Sequence, residues 1–181
     1  MPFSTDRASY QRGSIGFPAV KLPGRIGRKR AVVEAGARRK AGDAAAAIEL
    51  LAPVLMADEE NAAANVEMAR ALHVLGDLEG AEEHYRRALR VELDYKLVVE
   101  LAGVVGSAGR IKEAEELLGA ALQMTEAVEG LDPGEALLVS ATLAAGQGKN
   151  DAARKILDEI DAGVSGPDVR KFAQRLRERL S

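Results

Sequence analysis

Apolar residues recur at helical spacing through most of the chain. In residues 111–122, Ile111, Ala114, Leu117, Leu118 and Ala121 fall on one stripe of a 3.6-residue helix. Residues 167–180 repeat the pattern: Val169, Phe172, Ala173, Leu176 and Leu180 make one stripe, and Arg170, Lys171, Arg175, Arg177 and Arg179 take the remainder. Pro167 suits a first helical turn, and Asp168 favours the positive helix end. This predicts a capping helix at 168–181, with one face packed and one in water. The alternative is a partner-binding amphipathic helix. Residues 1–27 break the periodicity. Pro2, Pro18 and Pro23, with Gly13, Gly16, Gly24 and Gly27, prevent a sustained helix. An extended N-terminal arm is the expectation there.

The stripes come in register. Gly42, Gly76, Gly109 and Gly148 each follow an apolar stretch, at spacings of 34, 33 and 39 residues. Five residues after each stands Ala47, Ala81, Ala114 or Ala153; seven before each stands Ala35, Ala69, Ala102 or Ala141. Ala88 and Ala121 lie twelve after the second and third glycines, with Val54 and Ile160 in the other two units. Two antiparallel helices approach closely only where contact residues are small, and alanine provides that without loss of helix propensity. A glycine between them ends the first helix in the left-handed conformation. The last spacing places about six extra residues near 126–134, which predicts a longer sixth helix and a Pro-Gly turn.

This pattern resembles the tetratricopeptide repeat, a helix–turn–helix unit of about 34 residues. Residues 62–95 match it best, through Ala69, Gly76, Asp77, Ala81, Tyr85 and Ala88. Residues 95–128 match at Leu101, Ala102, Gly109, Ala114 and Ala121, residues 28–61 at Ala35, Gly42, Asp43 and Ala47, and residues 134–167 at Ala141, Gly148, Ala153 and Leu157. The family's aromatic on the first helix is replaced by Asn65 and Val98, and the closing proline is absent. The resemblance implies an all-α, right-handed superhelical solenoid of about four helical pairs plus the C-terminal cap. One unit cannot bury its stripe alone, so neighbours must stack.

Composition sharpens this reading. Alanine accounts for 33 of 181 residues, aromatics for 3%, and cysteine and tryptophan are absent. That argues against sandwiches and barrels and excludes disulfides, thiol nucleophiles and thiolate metal sites. No apolar run approaches the ~20 residues of a membrane span. The formal net charge of −3 conceals a division: +8 over residues 1–40, −14 over 41–167 and +3 over 168–181. Such asymmetry reports partners rather than fold. The arm holds Phe3, Tyr10 and Phe17, half the aromatics, beside Arg25, Arg28 and Arg30. A docking arm and a flexible tail are the two readings of it. A transit peptide fits the basic, serine-containing composition, but the prolines and glycines break the helix it needs. A cytoplasmic location is the default expectation, with an organelle matrix as the alternative.

Candidate chemistry is sparse. His73 and His84 lie on different helices of one repeat, without metal-ligand spacing. No P-loop or nucleophile elbow is present. We therefore expect no enzyme, no cofactor and no metal. The family resemblance implies a concave groove lined by the first helix of each pair. Its positions are Lys29, Val32, Arg39 and Lys40 in the first unit, Val66, Arg70 and His73 in the second, Lys96 and Val99 in the third, and Leu138 and Thr142 in the fourth. These are basic and apolar, which suits an acidic, amphipathic segment of another protein held within a larger assembly. A co-chaperone carboxylate clamp does not fit, because Val32 and Gly36 replace its first Lys and Asn, while Glu67 and Glu100 replace its later Asn and Arg. Two further readings remain: an RNA- or ribosome-associated subunit using the basic arm, and a structural subunit whose arm threads into an assembly.

Overall fold

The computed structural model describes residues 23–128, 130–163 and 165–180. Among these it contains nine α-helices and no strand: α1 (Arg25–Lys40), α2 (Ala44–Ala57), α3 (Ala62–Leu75), α4 (Leu78–Val91), α5 (Tyr95–Ser107), α6 (Ile111–Ala127), α7 (Gly134–Gly146), α8 (Asn150–Ala162) and α9 (Pro167–Leu180). The helices pair in order, α1 with α2, α3 with α4, α5 with α6 and α7 with α8. Each pair then packs on the next through α2–α3, α4–α5 and α6–α7, while α9 lies on α7 and α8. The result is a helical solenoid with a terminal cap.

One turn chemistry recurs between the helices of every pair. Gly42, Gly76, Gly109 and Gly148 have φ of 91°, 83°, 82° and 74°, in the left-handed region that only glycine enters freely. The residue after each glycine, Asp43, Asp77, Arg110 or Lys149, donates its amide to a carbonyl five residues back, at 2.9–3.1 Å. That closes the end of the first helix. The next helix starts under an Asp cap in two pairs, where Asp43 accepts from the Ala46 amide and Asp77 from the Gly80 amide.

The register alanines are where the packing is tightest. Ala35, Ala69, Ala102, Ala141, Ala81, Ala114, Ala153, Ala88 and Ala121 are fully buried, and Ala47 nearly so. Larger side chains fill the space between pairs: Leu51 and Val54 in the first, Tyr85, Leu101, Val104 and Val105 in the middle, Leu157 and Ile160 at the end.

Three local details differ from the sequence expectation or extend it. The first helix begins at Arg25, so Arg25, Ile26 and Gly27, expected in the arm, are helical. Gly24 occupies the cap position, and the Arg28 amide already donates to its carbonyl at 2.9 Å. Phe172, expected in the packed stripe of α9, is exposed while Val169 and Ala173 are buried. At ~100° per residue it sits about 60° off Val169, at the stripe's edge, and Arg175 stacks on its ring at 5.8 Å. The inserted residues give α6 its 17-residue length and a turn before α7. Asp132 in that turn accepts from the amides of Gly134 at 2.7 Å and Gly166 at 2.9 Å and from the hydroxyl of buried Ser165 at 3.2 Å. The insertion therefore anchors the loop that leads into the cap.

Candidate functional site

The first helices of the pairs, α1, α3, α5 and α7, line a groove. Its central hollow has a volume of about 630 Å³ and brings together Arg39, Lys40, Arg70, His73, Val99 and Leu138 of the expected positions. Val74, Tyr85, Glu100, Gly103, Glu135 and Val139 complete its wall. A second hollow of about 530 Å³ lies at the N-terminal mouth, where Lys29 and Val32 join Arg25, Arg28, Val33, Asp58, Asn61 and Ala63. The remaining expected positions serve otherwise. Val66 is half-buried against the central core. Lys96 is exposed and lies 3.6 Å from Glu135. Thr142 is exposed and donates its hydroxyl to the Leu138 carbonyl at 2.8 Å. Arg30 lies on the exposed side of α1, outside both hollows. Phe3, Tyr10 and Phe17 lie outside the described residues.

Charge in the groove is arranged differently from the basic surface the sequence suggests. Arg39 Nε donates to Glu67 at 3.1 Å. Arg70 donates to Glu67 at 2.9 Å and to both oxygens of Glu100 at 2.7 and 2.8 Å. The Tyr85 hydroxyl, from the second helix of its pair, donates to Glu100 at 2.7 Å. A ladder Arg39–Glu67–Arg70–Glu100–Tyr85 thus crosses three repeats and cancels its own charge. Hydrogen bonding to Glu100 raises the Arg70 pKa further above its ordinary value, against the effect of burial. Burial and the adjacent Glu100 carboxylate push the Tyr85 phenol far up, so it acts only as a neutral donor. The cations left over are Lys40 in the central hollow and Arg25 and Lys29 at the mouth, none of which has a carboxylate partner among the described residues.

Sequence reasoning found Arg70 and Arg39 but missed their partners. The signal was present: Glu67 and Glu100 stand 28 and 30 residues after an arginine of the preceding first helix, about one helical turn short of a repeat. Gly103, Val74 and Val139 were also missed as wall residues.

The histidines have distinct roles. His73 is exposed and lines the central hollow. His84 is half-buried, 2.7 Å from the Asn65 side-chain oxygen. Asn65 is fully buried in the place of the family's aromatic. Its amide nitrogen donates to the carbonyls of Glu59 at 2.8 Å and Asn61 at 3.1 Å. With both amide protons used, its oxygen must accept from His84 Nδ1–H. This unit fixes the loop between α2 and α3.

Comparison with known proteins agrees with this architecture. Two tetratricopeptide repeat profiles match the chain, one over residues 38–103 and one over 100–133. No curated protein sequence matches it. Among solved structures, PilF of Pseudomonas aeruginosa is similar at a TM-score of 0.66 and 19% identity, over 85% of this chain and 70% of that one. A thermophilic TPR protein of Thermus thermophilus is similar at 0.64 and 18% identity, over 85% and 83%. MamA is similar at 0.59 and 19% identity, over 84% and 79%. At these identities the likeness is one of fold. Matching profiles, recurrent glycine turns and paired helices together make this chain a tetratricopeptide repeat protein, of a class that serves as protein–protein interaction scaffolds.

Proposed function

We propose that the chain is a non-catalytic adaptor whose concave groove holds an acidic, amphipathic segment of another protein within a larger assembly. The composition of the central hollow supports this most. Val74, Val99, Leu138 and Val139 offer apolar contact beside Lys40, a cation without a carboxylate partner among the described residues. Arg25 and Lys29 extend the positive charge to the mouth. Acidic ligand residues then lie over α1 and the end of its helix, and apolar ones over α5 and α7. Recognition needs no reacting group, because apolar contact and charge-assisted hydrogen bonds suffice. Arg39 and Arg70 play a different part from the one their sequence positions suggested. Being paired, they hold the first helices side by side and form the groove floor.

Gly103 provides a clean test. A Cβ built there meets nothing within 4 Å, although the residue lines the hollow. Gly103→Phe should therefore fill the groove without disturbing the core. Affinity purification from the native organism should lose groove-bound partners while helical content and melting temperature stay at or above those of the wild type. Lys40→Glu should weaken the same partners by about tenfold, with a reduced salt dependence. A Gly103→Phe protein that retains every wild-type partner at wild-type yield would refute the groove reading.

A further inference from the structure

The first helix is apolar on two opposite faces. Ala35 is buried against the solenoid, flanked by the half-buried Ala31 and Val32. On the other side Ile26 and Val33 are 78% and 76% exposed, the highest values among the described large apolar residues. Ala37 is exposed as well. At ~100° per residue these three fall within about 40° of one another, so they form a single outward strip. Cations border it on both sides, Lys29 and Arg25 on one and Arg30 and Arg38 on the other. The only acid on α1 is Glu34, which pairs with Arg38 at 3.6 Å. Val33, Ala37, Lys29, Arg30 and Glu34 line a shallow hollow on this face.

Charge decides what can cover such a strip. Another copy's α1 would set like-signed rows against each other. The outward face of α9, with Arg170, Lys171, Arg175 and Arg179, is basic too. Residues 1–22 carry three cations against one acid, so they do not complement the strip either. The occupant must be anionic, and it must also accept apolar side chains at its centre, which nucleic-acid phosphates do not. The cations are spread around more than half of the helix circumference, wider than one facing helix covers. Long Arg and Lys side chains on both flanks can nonetheless all reach a plane. An apolar strip between cationic flanks is the pattern of a helix lying in the surface of an anionic bilayer. No helix among the described residues is long and apolar enough to cross a membrane.

We propose that the outward face of α1 docks the solenoid onto an anionic membrane surface, with Ile26 and Val33 entering the interface and Arg25, Lys29, Arg30 and Arg38 meeting lipid headgroups. Arg25, Lys29 and Val33 also line the hollow at the groove mouth, but none of the docking residues lines the central hollow, so this docking does not rest on the groove reading.

The test is co-sedimentation of the full chain with phosphatidylcholine vesicles, with and without phosphatidylglycerol at about a third of the lipid. The wild type should bind only the anionic vesicles, and high salt should weaken binding. Ile26→Ser/Val33→Ser should reduce partitioning about fivefold, and Arg30→Glu/Arg38→Glu about tenfold. All four side chains are exposed and outside the central hollow, and circular dichroism should show both variants folded. Failure of the wild type to bind anionic vesicles at low salt overturns the proposal. So does full retention of the Ile26→Ser/Val33→Ser variant, since charge alone would then account for binding. Binding to polyuridylate or polyglutamate in place of vesicles overturns it in favour of an RNA or an acidic protein.

Discussion

Removing the Arg70 side chain should destabilise the solenoid even though Arg70 lies on its surface. The guanidinium makes three charge-assisted hydrogen bonds, two to Glu100 at 2.7 and 2.8 Å and one to Glu67 at 2.9 Å. Its side chain is 29% exposed, against 15% for Glu67 and 33% for Glu100. Breaking a fully buried pair costs about 3–5 kcal/mol and an exposed one about 0.2–1 kcal/mol. The ladder lies between these limits, and Arg70→Ala leaves two neighbouring carboxylates with Arg39 as their one remaining guanidinium. We therefore expect a loss of about 2–3 kcal/mol, or roughly 4–10 °C in Tm for a domain of this size. The assay is urea unfolding followed by circular dichroism. Arg38→Ala serves as the control, since it and its partner Glu34 are both more than half exposed; it should cost under about 0.5 kcal/mol. A double-mutant cycle with Glu100→Ala should return a coupling above about 1 kcal/mol. If Arg70→Ala unfolds like Arg38→Ala, or the cycle shows no coupling, the ladder is not a structural element. Charge reversal at Arg70 consequently cannot serve as a binding test, because it would place three carboxylates together in the groove floor.

Other perturbations separate the remaining claims. Asn65→Ala should cost about 1–3 kcal/mol in urea unfolding, because it strands the Glu59 carbonyl and the His84 donor, while the Asn61 carbonyl keeps the backbone amide of residue 65; a loss below about 0.5 kcal/mol would show that the site is not a structural unit. Burial holds the His84 imidazole below its ordinary value, with Arg87 adding to the effect. The unfolded chain then takes up the proton first, so this stability is complete above about pH 6.5 and is lost as pH falls through and below that value. His84→Gln should flatten the change in melting temperature between pH 7.5 and 5.5, and an identical change in both proteins contradicts the assignment. Gly103→Ala should stabilise by up to about 1 kcal/mol, since it improves helix propensity in open space. Gly106→Ala should gain less, because its Cβ meets the Leu143 side chain between α5 and α7; equal gains at both sites would show that this contact is slack.

Much of the fold is legible in single residues. A glycine at repeat spacing reports a left-handed turn, because only glycine enters that region without strain. An alanine five residues later reports a close helix contact, because any larger side chain would hold the helices apart. Both signals act within one unit of about 34 residues, where sequence distance and spatial distance nearly coincide. The extra residues before Gly134 were visible as a broken spacing, and they lengthened α6 and made a turn. Their tie to the cap through Asp132 was not visible, since it joins segments more than thirty residues apart.

The groove was half legible for the same reason. Family resemblance placed Arg39, Lys40, Arg70, His73, Val99 and Leu138 near one another, and the structure gathers them around one hollow. Their charge state depended on which side chains of the neighbouring repeat came alongside. In sequence Glu67 and Glu100 stand only as departures from a carboxylate clamp, yet they neutralise two of the arginines that made the groove look basic. The periodic pattern by itself determined the repeat, its turns and its buried stripe, because those follow from backbone conformation and the size of contact residues. Only the stacking of one repeat on the next decided which charges face a ligand and which face each other. Long side chains meet across repeats, and a hydrogen bond of 2.7 Å between them depends on tertiary placement that no local spacing encodes.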